Sequence, residues 1–163
     1  MLPELLWWDR FQLFYLPAID EPNFLLHPEK ARLRDSHQVL GVFYNGIAKA
    51  YPISIMNWHE VVNDSYGADP VVVTFCPLCG SGMAFTANVK GISLRFGVSG
   101  LLYNSDVLLY DRKSNSLWSQ ILGQGVTGKY KGTILQQIPV EHTRLISTEG
   151  KLLTPYLPFC TVR

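Results

Sequence analysis

Apolar positions fall in short runs separated by Gly, Pro, Asn and Asp, a spacing that predicts strands rather than long helices. The strongest run, Val71-Val72-Val73-Thr74-Phe75, reads as a buried central strand. It leads straight into Cys76-Pro77-Leu78-Cys79-Gly80, a tight turn, after which Met83-Ala84-Phe85 is strand-like again. Upstream, Gln38–Tyr44 and Ile47–Tyr51 flank Asn45-Gly46, the strongest short hairpin signal. Pro52 can open a helix at its first turn, so Ile53, Met56 and Trp58 to Val61 form a short helical segment. That segment presents Asn57, His59, Glu60, Asn63 and Asp64. Further strands are expected from Leu94, over Val107–Tyr110, at Leu117–Gln120, between Gly123 and Gly128, and over Thr133–Ile138. Pro17, Pro22 and Pro28 make Pro17–Asp35 an extended loop. Before it, Trp7, Phe11, Phe14 and Tyr15 fall on one side of a helical wheel, as in an arm packed on the body or a contact surface for a partner or membrane. The pattern as a whole is α+β and β-rich, with antiparallel sheets in a sandwich or open barrel and short helices. No βαβ alternation, repeat or low-complexity segment is present.

Composition narrows this picture. A chain of 163 residues, 47% hydrophobic and 17% charged, suits one domain with a real core. Its net charge of +1, with basic residues scattered, does not point to nucleic acid as a bulk partner. No apolar run approaches the roughly 20 residues of a membrane helix, and the acidic start does not read as a secretory signal. Three cysteines leave one unpaired if Cys76 and Cys79 act together, which argues against a disulfide scaffold.

Cys76-Pro77-Leu78-Cys79-Gly80 has the form of a metal knuckle, in which two thiolates bind one ion and glycine accommodates a positive φ. A complete site needs further ligands from His59, His142, Cys160, Asp106 or a second chain. His59 is the expected third ligand, and thiolates favour zinc or copper. The same pair can be a redox dithiol, although Gly80-Ser81-Gly82 supplies no helix N-terminus to activate it. It can also be two structural thiols, because free cysteine is among the most buried residue types. A serine nucleophile at Ser99 would need His59 as base and Asp64 or Asp106 as orienter. Ser99-Gly100-Leu101 breaks the nucleophile-elbow pattern, and a turn explains Gly97, Ser99 and Gly100 equally. Asn104, Ser105 and Asp106 can bind a ligand or hold their own loop. Asp111-Arg112 reads as a surface ion pair, and Trp58 and Trp118 as core or as ligand-stacking rings.

Taken in order, these motifs resemble the bacterial and archaeal domain-of-unknown-function family 3179. The similarity rests on Pro17–Pro22, Ala50-Tyr51-Pro52, Asn57–Asp64, Thr74–Gly80, Phe96–Asp106, Tyr110-Asp111-Arg112 and Ser116–Gln120. It spans about residues 17–139 of a single domain, with 140–163 as a divergent tail whose Cys160 has no expected role. The resemblance implies a recurrent domain and brings no activity with it. Similar proteins often follow an export or lipoprotein signal. The expected site is a metal- or ligand-binding pocket on the cysteine turn. Cys76, Cys79 and His59 are its metal ligands, and Asn57, Glu60, Ser99, Tyr103, Asn104, Ser105, Asp106 and Trp118 line it. Its partner would be a small molecule or a protein. Thiol–disulfide exchange and a non-catalytic structural or interaction module are the alternatives.

Overall fold

The structure is a computed structural model that describes residues 16–25, 37–144, 147–148, 151–152 and 159–161. The aromatic N-terminal segment and most of the Pro28 region lie outside the described residues. In chain order come Ile19–Asp20 (β1), Asn23–Leu25 (β2), Gln38–Tyr44 (β3), Ile47–Pro52 (β4) and the helix Ile53–His59 (α1). Val61–Tyr66 (β5), Asp69–Cys76 (β6), Ser81–Thr86 (β7), Asn88–Val89 (β8) and Ile92–Ser93 (β9) follow. The remaining strands are Phe96–Tyr103 (β10), Asp106–Asp111 (β11), Leu117–Ser119 (β12), Gln137–Ile138 (β13), Val140–Arg144 (β14), Ser147–Thr148 (β15), Lys151–Leu152 (β16) and Phe159–Thr161 (β17). The fold is therefore β-rich α+β, with several mostly antiparallel sheets and, among the described residues, no closed barrel.

The apolar run of β6 decides the layering. β6 is the middle strand of a sheet ordered β1-β5-β6-β7-β13. Side chains of a strand alternate between faces. Val71, Val73 and Phe75 accordingly enter one core, with Leu40, Tyr51, Met56 and Cys160. Val72 and Cys76 enter another, with Phe96, Leu109 and Trp118. The sheet β14-β3-β4-β17-β2 covers the first face and β10-β11-β12 the second. A strand covered on both faces is apolar throughout instead of alternating. The result is three layers where a simple sandwich has two.

The β3–β4 hairpin forms as the sequence predicts. Asn45 and Gly46 both take positive φ, 49° and 74°, as a two-residue turn matched to strand twist requires. Pro52 caps α1 in extended conformation, and Glu60 ends the helix in the left-handed region at φ 55°. The polar group expected on one helical segment is thereby divided, since Asn63 and Asp64 belong to β5. Asn63 stitches two layers. Its amide donates to Phe96 O (2.8 Å) and accepts from Phe96 N (2.8 Å), as a neighbouring strand would. Downstream, the strand expected between Gly123 and Gly128 is only two isolated bridge positions, Gln124 and Gly125, and Gly128–Tyr130 is a 3-10 turn. The run Thr133–Ile138 keeps strand character at its end, in β13, with a lone bridge at Ile134. Among the described residues, no helix is long and apolar enough to cross a membrane.

Candidate functional site

β6 ends at Cys76 and β7 begins at Ser81, which pair across the turn Pro77–Gly80. Gly80 sits at φ 62°, the conformation that favours glycine in such a turn. The turn folds Cys79 back over Cys76. Its backbone N–H donates to Cys76 Sγ (3.2 Å), and the two sulfurs lie 2.8 Å apart. Cys76 is fully buried beside Trp118 in the second core, whereas Cys79 is exposed. All three cysteines are free thiols. The hydrogen bond that joins the Cys76 and Cys79 thiols is the main reason that the Cys79 thiol is pushed up to about 11, with desolvation and the Cys76 and Asp106 charges adding to it.

The β10–β11 hairpin meets this turn. Tyr103 pairs with Asp106 across Asn104 and Ser105, both at positive φ (51° and 64°). The Ser105 carbonyl accepts from Cys79 Sγ at 3.3 Å. Asp106 is buried, and its Oδ2 accepts from Ser119 Oγ and Ile121 N, while Oδ1 has no partner among the described residues. Behind the cysteines, Gln120 Nε2 donates to Thr74 Oγ1 (3.0 Å) and to Ser81 O (3.2 Å). Ser81 Oγ returns a bond to Gln120 Oε1. This neutral network ties β6, β7 and the turn after β12 into one frame from which the cysteine turn projects.

Four expected residues, Cys76, Cys79, Ser105 and Asp106, thus adjoin one another, with Tyr103 and Asn104 completing the hairpin tip. His59 is not brought into a metal set with the cysteines. Its Nδ1 lies 2.7 Å from Pro17 O, and among the described residues no three His, Cys, Asp or Glu side chains are grouped to hold an ion. The serine triad does not assemble either. Ser99 Oγ donates to Leu108 O (2.6 Å) and accepts from Leu101 N, where it braces the interruption in β10–β11 pairing. Asp64 receives Lys49 Nζ (2.8 and 2.9 Å) and Tyr51 Oη (2.6 Å) instead of a histidine. Ser99 lines a separate cleft of about 640 Å³ with Pro17, Tyr110 and Arg112.

The two candidate tryptophans part company. Trp118 is fully buried and donates Nε1–H to Asp111, so it is core and not a stacking platform. Trp58 is 71% exposed on α1, beside exposed Asn57. Burial raises the Glu60 carboxyl above the usual range, and its backbone carbonyl accepts from Phe75 N, docking α1 against β6. Asp111 is no surface ion pair. It is fully buried, and Arg112 pairs with Asp20 instead. Sequence reasoning passed over Thr74, Ser119 and Gln120. A threonine inside an all-apolar run was the available signal for the first, and two polar residues directly after a core tryptophan for the others.

With this geometry in view, the model of the family described as "protein of unknown function (DUF3179)" matches residues 15–151. The chain belongs to that family. No curated protein and no solved structure compared with it matches. The DUF3179 match takes in the main strands of all three layers, the cysteine turn and the hairpin that meets it, and it runs through β14. Cys160 lies beyond it, buried in the first core between β4 and β2, on the opposite side of the central sheet from Cys76. Chemically, the DUF3179 site offers an exposed thiol, a buried thiol within reach of it, a carbonyl acceptor and a buried carboxylate.

Proposed function

We propose that Cys76 and Cys79 form a redox-active dithiol that exchanges with a disulfide of a partner. The observation that carries this reading is the pair's asymmetric closeness: sulfurs 2.8 Å apart, one exposed and one buried. Two sulfurs at about 2.3 Å from a tetrahedral zinc lie about 3.8 Å apart, whereas a disulfide closes to about 2.05 Å. The pair is nearer the second distance, and no third ligand accompanies it among the described residues. Cys79, as thiolate, attacks one sulfur of the partner disulfide, breaking that bond and releasing a partner thiolate that takes up a proton. Cys76, having lost its own proton, then attacks Cys79 Sγ in the mixed disulfide. The second partner thiol leaves, and a Cys76–Cys79 disulfide remains. Two electrons and two protons pass from the chain to the partner.

The raised Cys79 pKa sets the direction. A dithiol that is not stabilised as thiolate favours its disulfide, so in this reading the pair acts as a reductant. Attack accelerates as pH rises toward the thiol's pKa. The test is equilibration with dithiothreitol followed by mass analysis of the 76–79 peptide and elemental analysis of the same sample. A reversible loss of two hydrogens at low potential is expected. A pair that never closes, or that holds stoichiometric zinc or copper, sinks the reading.

A further inference from the structure

We propose that the disulfide reduced at this site is carried by an uncharged, apolar, extended polypeptide segment that docks alongside β10. The proposal rests on the dithiol reading and adds the chemical class of the substrate. Three observations carry it.

The first is what surrounds the exposed thiol. Cys79 bonds to Ser105 at the tip of the β10–β11 hairpin, which sets the end of β10 beside it. Leu101, Leu102 and Tyr103 occupy that end, Leu78 precedes Cys79, and Ile121 and Leu122 are tied in through the Asp106–Ile121 bond. All six are exposed, from 43% at Ile121 to 78% at Leu78. Several large apolar side chains left exposed on the segments around one thiol are the kind of feature that marks an interaction surface.

The second is charge. Residues 77–80, 100–105 and 119–124 contain no Lys, Arg, Asp, Glu or His. Asp106, the one carboxylate at the site, is buried. These three segments offer no cation to the carboxylates of a small charged disulfide such as oxidised glutathione, whereas a neutral apolar segment matches their side chains.

The third is backbone. β10 is the last strand of the order β10-β11-β12. Asn63 covers its outer edge at Phe96, but the pattern from Gly100 to Tyr103 is exposed throughout. Among the described residues no further strand pairs with this end of β10, and a strand edge of this kind accepts an extended peptide by main-chain pairing, with alternate side chains setting preference.

The experiment uses the reduced full chain and three probes: oxidised glutathione, a peptide disulfide flanked by Leu and Tyr, and one of the same length flanked by Glu. The apolar peptide should be reduced with a kcat/KM at least about tenfold above the other two, equivalent to about 1.4 kcal/mol. Leu102→Gln and Leu122→Gln, both neutral, should raise KM for that peptide severalfold with kcat little changed. Phe43→Gln, which alters an equally exposed apolar side chain on β3, should change neither. Equal rates with all three probes, or no KM effect at Leu102 and Leu122, overturn the substrate class while the dithiothreitol equilibrium keeps the dithiol reading. A pair that never closes with dithiothreitol overturns both.

Discussion

Two buried aspartates five positions apart behave in opposite ways. Asp111 accepts from Lys113 N, Ser114 N, Ser114 Oγ, Ser116 N and Trp118 Nε1, so its charge is compensated by the turn that follows it. Removing it strands several donors in the core. Asp111→Ala should therefore lower unfolding free energy by at least about 3 kcal/mol in urea. Asp106 accepts only from Ser119 and Ile121 and leaves Oδ1 without a partner among the described residues. Asp106→Asn should cost about 1 kcal/mol or less, and equal losses from the two variants would contradict this contrast. The sequence shows two acidic residues with polar neighbours in both places. Which of them gathers donors depends on how Arg112–Ser116 folds back, and local propensity does not specify that.

At the level of single elements, glycines matter for two different reasons. Gly46 sits at φ 74° with open space around it, so Gly46→Ala meets only backbone strain, about 1 kcal/mol. Gly125 has no positive φ, but a Cβ there would stand 2.2 Å from the Tyr130 carbonyl oxygen. The backbone of the 3-10 turn must move, and overpacking of that kind costs about 2–3 kcal/mol. Thermal unfolding should show a drop of a few degrees for Gly46→Ala and a drop about twice as large for Gly125→Ala. The reverse order would be inconsistent with the packing described. The first glycine was legible because Asn-Gly is a local signal. The second was read only as the bracket of a strand, because its constraint comes from residues in contact through tertiary structure.

For the whole molecule, the three layers bury Cys160 against the first core, and burial pushes its thiol from near 9 up to about 12. Below pH 9 the folded and unfolded chains both keep this proton, and its full contribution to stability is present. Above it only the unfolded chain ionises readily. Stability then falls as pH rises toward about 12, by up to about 1.4 kcal/mol per pH unit from this group. The buried phenols of Tyr51 and Tyr66, also raised by burial, add to the alkaline loss. Urea unfolding between about pH 8 and about pH 11 should therefore show a shallower decline for Cys160→Ala than for the parent chain. Parallel declines would mean that Cys160 does not stay protonated in the fold.

Short-range chemistry was enough to determine the β-rich class, the Asn45-Gly46 hairpin, α1 after Pro52, the central strand β6 and the tight turn that brings Cys79 over Cys76. Each depends on side-chain period or on φ preferences within a few residues. Tertiary structure decided which polar groups meet. It set His59 against Pro17, gave Asp64 to Lys49 and Tyr51, and turned Ser99 into a brace. It also delivered Ser105 and Asp106 to the cysteines from a hairpin some 25 residues further on. The physical reason is the covering of β6 on both faces. An apolar run shows that a strand is buried, but the strands that cover it, and hence the polar groups at its end, are chosen by how three sheets pack.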